Sequence, residues 1–356
     1  MSVSKLTLFA KQSFWGLLHR VSSKVSSSYR GCIILTYHRI TDEASSDDPL
    51  IVSVDQFSKH MEFLKCRFRL LSAHEVGEIV CSRKEFPDRS CLITFDDGWK
   101  DNYTQAFPIL QAFQAPAIIF LTTGYIGTSK RFWHDRLRSV LLALPLSCVD
   151  GKVTHRSIWR AASVNSVIRE VSAIPVPFRR SVIEEITQAW KWFGDSEREQ
   201  KIQEIELIAG MSSEATTPAM LSWEDVAVMA AGGIEFGSHT VSHVLLDQVS
   251  GEEMRAELRA SKEVLEYRLK QPVEFVAYPN GNYNNEVLAA SKECGYLAGF
   301  TCEVGSNVTS DRPFVLKRKH VLNELSIGWN GQFSETFFAT ELSGIRHAVK
   351  AGLGRK

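Results

Sequence analysis

Two acidic residues, Asp96 and Asp97, follow the apolar run Cys91-Leu92-Ile93-Thr94-Phe95 and precede Gly98. Such a run reads as a buried strand, so the pair ends a strand, with a glycine that lets the backbone turn sharply. Neighbouring strand residues point in different directions, so one carboxylate can hold a metal ion while the other faces a substrate. Two bare carboxylates on one spot would instead share a proton. Taken alone, Asp-Asp-Gly is also an ordinary turn sequence. A second strand, Ile234 to Gly237, runs into Ser238-His239-Thr240-Val241-Ser242-His243. Histidines at i and i+4, wound into one helical turn, share a face and can ligate one cation. Two histidines, a carboxylate and an open position make the ligand set of a hydrolytic zinc site. A third strand end, Phe275-Val276-Ala277, leads into Tyr278-Pro279-Asn280-Gly281. That turn can aim a backbone N–H at a developing oxyanion, or be only a loop.

Positioning these residues requires strands alternating with helices. Strands are expected at Gly31–Tyr37, Phe68–Leu71, Cys91–Asp96, Ala117–Leu121, Ile234–Gly237, Phe275–Ala277 and near Leu297–Thr301. Between them, helices are expected from Asp55 to Cys66, Ser72 to Val80, Asp101 to Phe113, Ser222 to Ala231 and Ser250 to Leu269, the last with a Ser250/Glu253 capping box. This alternation gives an open doubly wound sheet or a barrel, and both place the site at strand C-termini. From Tyr125 to Met220 the strand signal stops. Arg136–Leu144, Ser157–Ile174, Arg179–Phe193 and Glu197–Ile208 read as helices punctuated by prolines, a helical insertion.

Taken together, the motifs resemble a known family. Thr94-Phe95-Asp96-Asp97-Gly98 and Ser238-His239-Thr240-Val241-Ser242-His243 look like the first two signatures of the polysaccharide deacetylases, the NodB homology domain of carbohydrate esterase family 4. Leu35-Thr36-Tyr37-His38-Arg39-Ile40, Leu221-Ser222-Trp223 and Ala277-Tyr278-Pro279-Asn280-Gly281 agree with it. The resemblance covers about residues 31 to 124 and 221 to 321. It implies a distorted (β/α) barrel of about seven parallel strands, and metal-dependent removal of an N-acetyl group from a sugar. Carried over, Asp97, His239 and His243 would hold the metal, most often Zn2+, with Co2+, Ni2+ or Mn2+ as alternatives. Asp96 would be the general base, and the Asn280 backbone N–H, in the Tyr278-Pro279-Asn280-Gly281 turn, would meet the oxyanion. A cation bound there lowers the pKa of its water toward about 7 and polarises the amide carbonyl. The family's third signature carries an arginine where Ala277 stands, and Arg318, from a later strand end, is the replacement expected to orient the base. The aromatic usual at Asn280 is also absent. For the general acid there are two candidates: His320, in Leu316-Lys317-Arg318-Lys319-His320, and His38, which ends the first strand. Trp99, Tyr103, Trp133, Tyr278 and Tyr283 could stack on sugar rings or simply pack, and Asp135 is expected to pair with Arg136 or Arg138.

The division that follows is a basic amphipathic segment at 1–30, the barrel at 31–124 and 221–325, the helical insertion at 125–220 and a basic extension at 326–356. At 356 residues the chain is long enough for two domains or one barrel with an insertion. Its 41 basic residues cancel 41 acidic ones, so no global field favours nucleic acid. Seven cysteines form no Cys-x-x-Cys pair and read mostly as buried apolar residues of a reducing compartment. Residues 1–30 hold Lys5, Lys11, Arg20, Lys24 and Arg30 and no acid, and Lys11 interrupts the apolar run, so no secretion signal is read. The expected location is the cytoplasm. The basic segment reads as an imperfect amphipathic helix docked on the core or, with Arg346, Lys350, Arg355 and Lys356, leaning on an anionic inner membrane face. The expected substrate is an N-acetylated glycan or a lipid-linked sugar precursor. The alternatives are a catalytically silent glycan-binding barrel and an amide hydrolase of a non-sugar substrate.

Overall fold

Short apolar runs rich in β-branched residues suit strands covered on both faces, and that is how the longest of them are placed. The computed structural model describes residues 29–42, 50–147, 159, 162–211, 219–309, 312–322, 326–328 and 331–343. Nearly all of the amphipathic segment expected at 1–30 lies outside these residues. So do Cys148, Arg346, Lys350, Arg355 and Lys356. The strands of the main sheet are β1 (Cys32–Tyr37), β4 (Arg69–Leu70), β5 (Ser90–Phe95), β6 (Ala117–Leu121), β7 (Glu235–Ser238), β8 (Phe275–Ala277), β9 (Ala298–Phe300) and β10 (Lys319–His320). β2 (Arg39–Ile40) and β3 (Ile51–Val52) form a separate parallel pair. The order in the sheet is β10-β1-β5-β6-β7-β8-β9, all parallel, with β4 also on β5.

The sheet curls until one segment joins its two edges. Leu316 pairs with Phe300 on β9, its N–H donating to Gly299 O at 2.9 Å, and three residues later β10 pairs with β1 through Leu35–Lys319 and Thr36–His320. The result is a distorted barrel. Alternate residues therefore face its inside: Ile34, Leu92, Ile118, Phe120, Phe275, Phe300 and Leu316 form one buried cluster. Their neighbours Leu35, Ile93, Ile119 and Val276 pack outward against the helices. Along β1, β5 and the closing segment 316–320 the inward residues become polar toward the C-terminal end. Ile34 is followed by Thr36 and His38, Leu92 by Thr94 and Asp96, and Leu316 by Arg318 and His320. Strand parity thus delivers ionisable groups to one mouth of the barrel.

Helices fill the crossovers, started by side-chain caps worth about 1 kcal/mol each. Ser72 with Glu75, and Ser222 with Asp225, form complete capping boxes ahead of the helices Ala73–Cys81 and Trp223–Ala231. Several expectations are corrected. The helix Val54–Arg67 is capped by Ser53, which accepts from Gln56 N, rather than by Asp55. Ser250 accepts from Glu253 N, but the reciprocal half of a capping box is not made. Asp101 to Phe113 is not one α-helix: a π-helical turn at Asn102–Ala106 precedes the helix Phe107–Phe113. Of the six described cysteines only Cys32 and Cys91 are buried; Cys66 and Cys81 are exposed.

Residues 129–219 form a second unit. Its helices are Trp133–Ala143, Val164–Ser172, Arg179–Trp190 and Asp195–Ala209; the second is shorter than the expected Ser157–Ile174. They surround their own core, which includes Leu137, Val167, Ile186 and Trp190. Arg179, fully buried, donates to the carbonyls of Leu141, Leu142, Leu144 and Ile174, supplying donors that the end of the first helix lacks. Arg136 forks onto Glu199 and Glu206 at 2.7 to 2.9 Å, and Asp135 pairs with Arg138 at 3.6 Å. Across the described residues, no helix is long and apolar enough to cross a membrane.

Candidate active site

Asp96 and Asp97 leave β5 in different directions because the backbone changes hand between them. Asp96 continues the inward parity of Leu92 and Thr94. Asp97 takes φ 75°, a left-handed conformation costing on the order of 1–3 kcal/mol for a non-glycine residue. Gly98 follows at φ 88°, where a Cβ would lie 2.7 Å from Ile126 and 2.8 Å from Leu121, so only glycine fits.

Asp96, 2% exposed, is gripped by Arg318, which is fully buried. The guanidinium Nη1 and Nη2 donate to Oδ1 and Oδ2 at 2.7 and 2.8 Å, while Nε donates to Thr301 O at 3.0 Å. This two-pronged pair is the strong form of a charged hydrogen bond. Burial alone would raise the Asp96 carboxyl, but Arg318, with His239 and His38, holds it well below the usual carboxylate range. Arg318, just before β10, reaches Asp96 from 222 positions later in the chain.

Asp97, 3% exposed, faces the histidine pair. Its Oδ1 lies 3.6 Å from His239 Nε2 and 3.5 Å from His243 Nε2, and its Oδ2 accepts from Trp99 Nε1 at 2.9 Å. His239 Nδ1 donates to Ala277 O at 2.7 Å, which turns Nε2 toward Asp97 as a lone pair. Burial lowers the His239 pKa, more than Asp96 and the Ala277 carbonyl raise it, so the ring is a neutral donor. One carboxylate oxygen and two imidazole nitrogens within 4.8 Å of one another fit a divalent cation that accepts N and O ligands. The histidines do not share a helical turn, as their spacing suggested. They are linked by a bent turn in which Thr240 and His243 have φ 66° and 63°.

The two acid candidates are neighbours. His38 and His320 stack at 5.6 Å and 19°, above the Thr36–His320 register of β1 and β10. Burial, then His38 and Arg318, pushes the His320 pKa down to about 3 against the pull of Asp96. The turn after β8 places Asn280 exposed at φ 57° between buried Pro279 and Gly281. Tyr278 and Trp99 are buried, so neither offers a ring face: the Tyr278 hydroxyl donates to Phe314 O, and Trp99 lies 4.8 Å beneath Arg39. Tyr103 stacks on Phe107, and Trp133, in the second unit, lies under Arg198.

Supporting residues escaped the sequence reading. Asn102 Nδ2 donates to His38 O at 2.8 Å, and Asp101 holds Arg39 Nε and Ile40 N, so the turn after β5 fixes the end of β1. The π-helical turn that carries Asn102 is a local feature often found at functional sites. Their signal was present, since both follow Asp97 within five positions, but it reads as a helix start.

The family model described as polysaccharide deacetylase matches residues 83–145 and 187–299. The chain belongs to the polysaccharide deacetylase family. Its members are hydrolases acting on amide bonds of acetylated sugars, and they are metalloenzymes. Asp96, Asp97, His239, His243 and Asn280 fall inside the matched stretches; His38, Arg318 and His320 fall outside. YxkH of Bacillus subtilis (strain 168), assigned to the polysaccharide deacetylases, is 22% identical over 304 residues, 85% of this chain and 76% of its own length. The poly-beta-1,6-N-acetyl-D-glucosamine N-deacetylase of Escherichia coli (strain K12) is 31% identical over 101 residues, 28% of this chain and only 15% of that enzyme. Among solved structures, IcaB from Ammonifex degensii superposes with a TM-score of 0.56 at 17% identity, covering 88% of this chain and 97% of that one. The Streptococcus pyogenes deacetylase PplD in complex with acetate gives 0.54 at 21%, covering 83% and 94%. Both establish the barrel fold of this deacetylase-family chain.

Proposed function

We propose that this chain is a metal-dependent N-deacetylase that hydrolyses the acetamide of an N-acetylated sugar, in a glycan or a lipid-linked precursor, and releases acetate. The observation that carries the reading is the Asp96–Arg318 pair standing beside the Asp97, His239 and His243 donor set at one mouth of the barrel. A divalent cation held by those three residues, zinc first by donor type, would polarise the amide carbonyl and acidify water at the site. Asp96 is kept ionised and fixed by Arg318, so its carboxylate accepts the proton released as water oxygen bonds to the carbonyl carbon. The Asn280 backbone N–H would donate to the oxygen that gains charge. His320, held neutral, is a poor proton donor near neutral pH, and His38 is the residue that protonates the departing amine. The C–N bond then breaks, leaving acetate and a free amine. Arg318 occupies the role that the missing arginine at position 277 had put in doubt, which argues against the silent glycan-binding alternative.

Relatives named as poly-beta-1,6-N-acetyl-D-glucosamine deacetylases make β-linked N-acetylglucosamine oligomers the substrates to try first. Zinc- or cobalt-loaded protein is expected to release acetate from such an oligomer, and Asp96→Asn is expected not to. Failure of the loaded wild-type chain across N-acetylated sugars would reject the reading.

A further inference from the structure

The turn between the two histidines is held from two sides. On one side Thr123 N donates to Thr240 O at 3.1 Å and Gly124 N to Val241 O at 2.8 Å. On the other stands Glu257, within the helix Gly251–Leu269. Its Oε2 accepts from the backbone N–H groups of Val241 at 2.7 Å and Ser242 at 3.0 Å, and its Oε1 accepts from the Ser242 hydroxyl at 2.6 Å. All three donors belong to the two residues between Thr240 and His243, whose left-handed φ angles are sustained only where the surroundings hold them. Two consecutive N–H groups converging on one anion form a backbone nest, filled here by the chain's own carboxylate.

We propose that Glu257 is the positioning residue of the second histidine, fixing the 240–243 turn so that His243 Nε2 meets Asp97, and that it thereby sets how tightly the three-residue set binds a divalent cation. The inference rests on reading that set as a metal site. Glu257 makes its hydrogen bonds to the turn's backbone and to Ser242, so it acts through the turn, by geometry. Its charge is the secondary part of the role, because an uncharged acceptor of the same reach can hold the same N–H groups.

The test is zinc affinity of the full chain, stripped of metal and titrated in competition with a chromophoric chelator, with the visible absorption of the cobalt form reporting ligand geometry. Glu257→Ala is expected to bind zinc about 10- to 100-fold more weakly, the usual cost of losing a group that orients a metal ligand, with an altered cobalt spectrum. Glu257→Gln keeps an oxygen for both N–H groups and an amide to donate to Ser242 Oγ, and is expected to stay near wild type. Glu263→Ala, exposed on the same helix, removes an equal charge and is expected to change nothing. If the alanine variant does not fold, Glu257→Asp carries the test: it keeps the charge but is one methylene too short, and the same loss is expected. Binding by Glu257→Ala or Glu257→Asp as tight as wild type overturns the proposal alone. Equal losses in the alanine and glutamine variants overturn its geometric basis. A wild-type chain that takes up neither zinc nor cobalt overturns the metal reading beneath it.

Discussion

Asp96 and Asp97 are consecutive, yet they meet opposite electrostatic surroundings. Asp96 hangs inside the barrel and receives its counter-charge from the chain, two guanidinium hydrogen bonds from Arg318. Asp97, turned aside by its own left-handed backbone, is met by two imidazoles and an indole N–H. The first arrangement supplies a full positive charge and suits a base that must remain ionised. The second supplies lone pairs and suits a group that shares an external cation. Splitting the two carboxylates this way removes the shared-proton problem that adjacent acids otherwise pose.

The largest effects should come from exchanging the two roles. Asp97→Asn is expected to abolish metal uptake and turnover together. Asp96→Asn should keep the metal and lose turnover by a factor on the order of 10² to 10⁴. Elemental analysis beside acetate release reads both, and loss of metal in both variants would break the distinction. The stacked histidines sharpen it further. His38→Ala should cost turnover on the same order, 10² to 10⁴, and His320→Ala clearly less; the reverse ranking would move the acid to β10.

Arg318→Met removes the counter-charge while filling the space. Burial then dominates at Asp96 and its pKa rises, so the acid limb of the kcat/KM profile should move to higher pH. The same pair bears on stability. Because the folded-state value of Asp96 lies below its unfolded value of about 4, its contribution is present above that pH and fades as pH falls toward the folded value. Losing one partner of a buried pair should cost about 3–5 kcal/mol at neutral pH, read as a lower urea midpoint. An unmoved acid limb would mean that Asp96 is not the titrating base. The smallest expected change is Trp99→Phe, which keeps a ring beneath Arg39 but withdraws the N–H from Asp97 Oδ2. Zinc affinity should fall about tenfold with the fold unchanged, and an unchanged affinity would show that the indole does not orient the ligand.

Most of the barrel was legible because parallel strands covered on both faces are continuous apolar runs. β5, β6 and β8 lie within a residue of their expected limits. β10 carries no hydrophobic signal, and a strand end at Arg318 is expected only through the family resemblance. Lys317-Arg318-Lys319-His320 is a run of ionisable residues, yet Arg318 is fully buried and Lys319 nearly so, its ammonium donating to the carbonyls of Glu341 and Leu342 at the end of a helix. Charges buried by pairing leave no mark in hydrophobic periodicity. The Asp-Asp and His-x-x-x-His motifs were visible as chemistry, and the structure brings Asp97, His239 and His243 together. The path between the histidines was misread because left-handed Thr240 and His243 depend on partners, Glu257 among them, that come from another element. Ser72 and Ser222 have the same Ser-x-x-acid spacing as Ser250, and the structure completes the box at the first two but not at the third.

The segment that closes the barrel is also the one that finishes the site, and this imposes an order in time. A chain emerging from its amino end exposes both aspartates long before Arg318 exists, and a barrel missing only its closing strand would hold the histidines and an aspartate with its charge still in water. Contacts between residues so far apart in sequence are slow to form. Asp96 gains its counter-charge only as residues 314–320 dock, so closing the barrel and completing the site are one event.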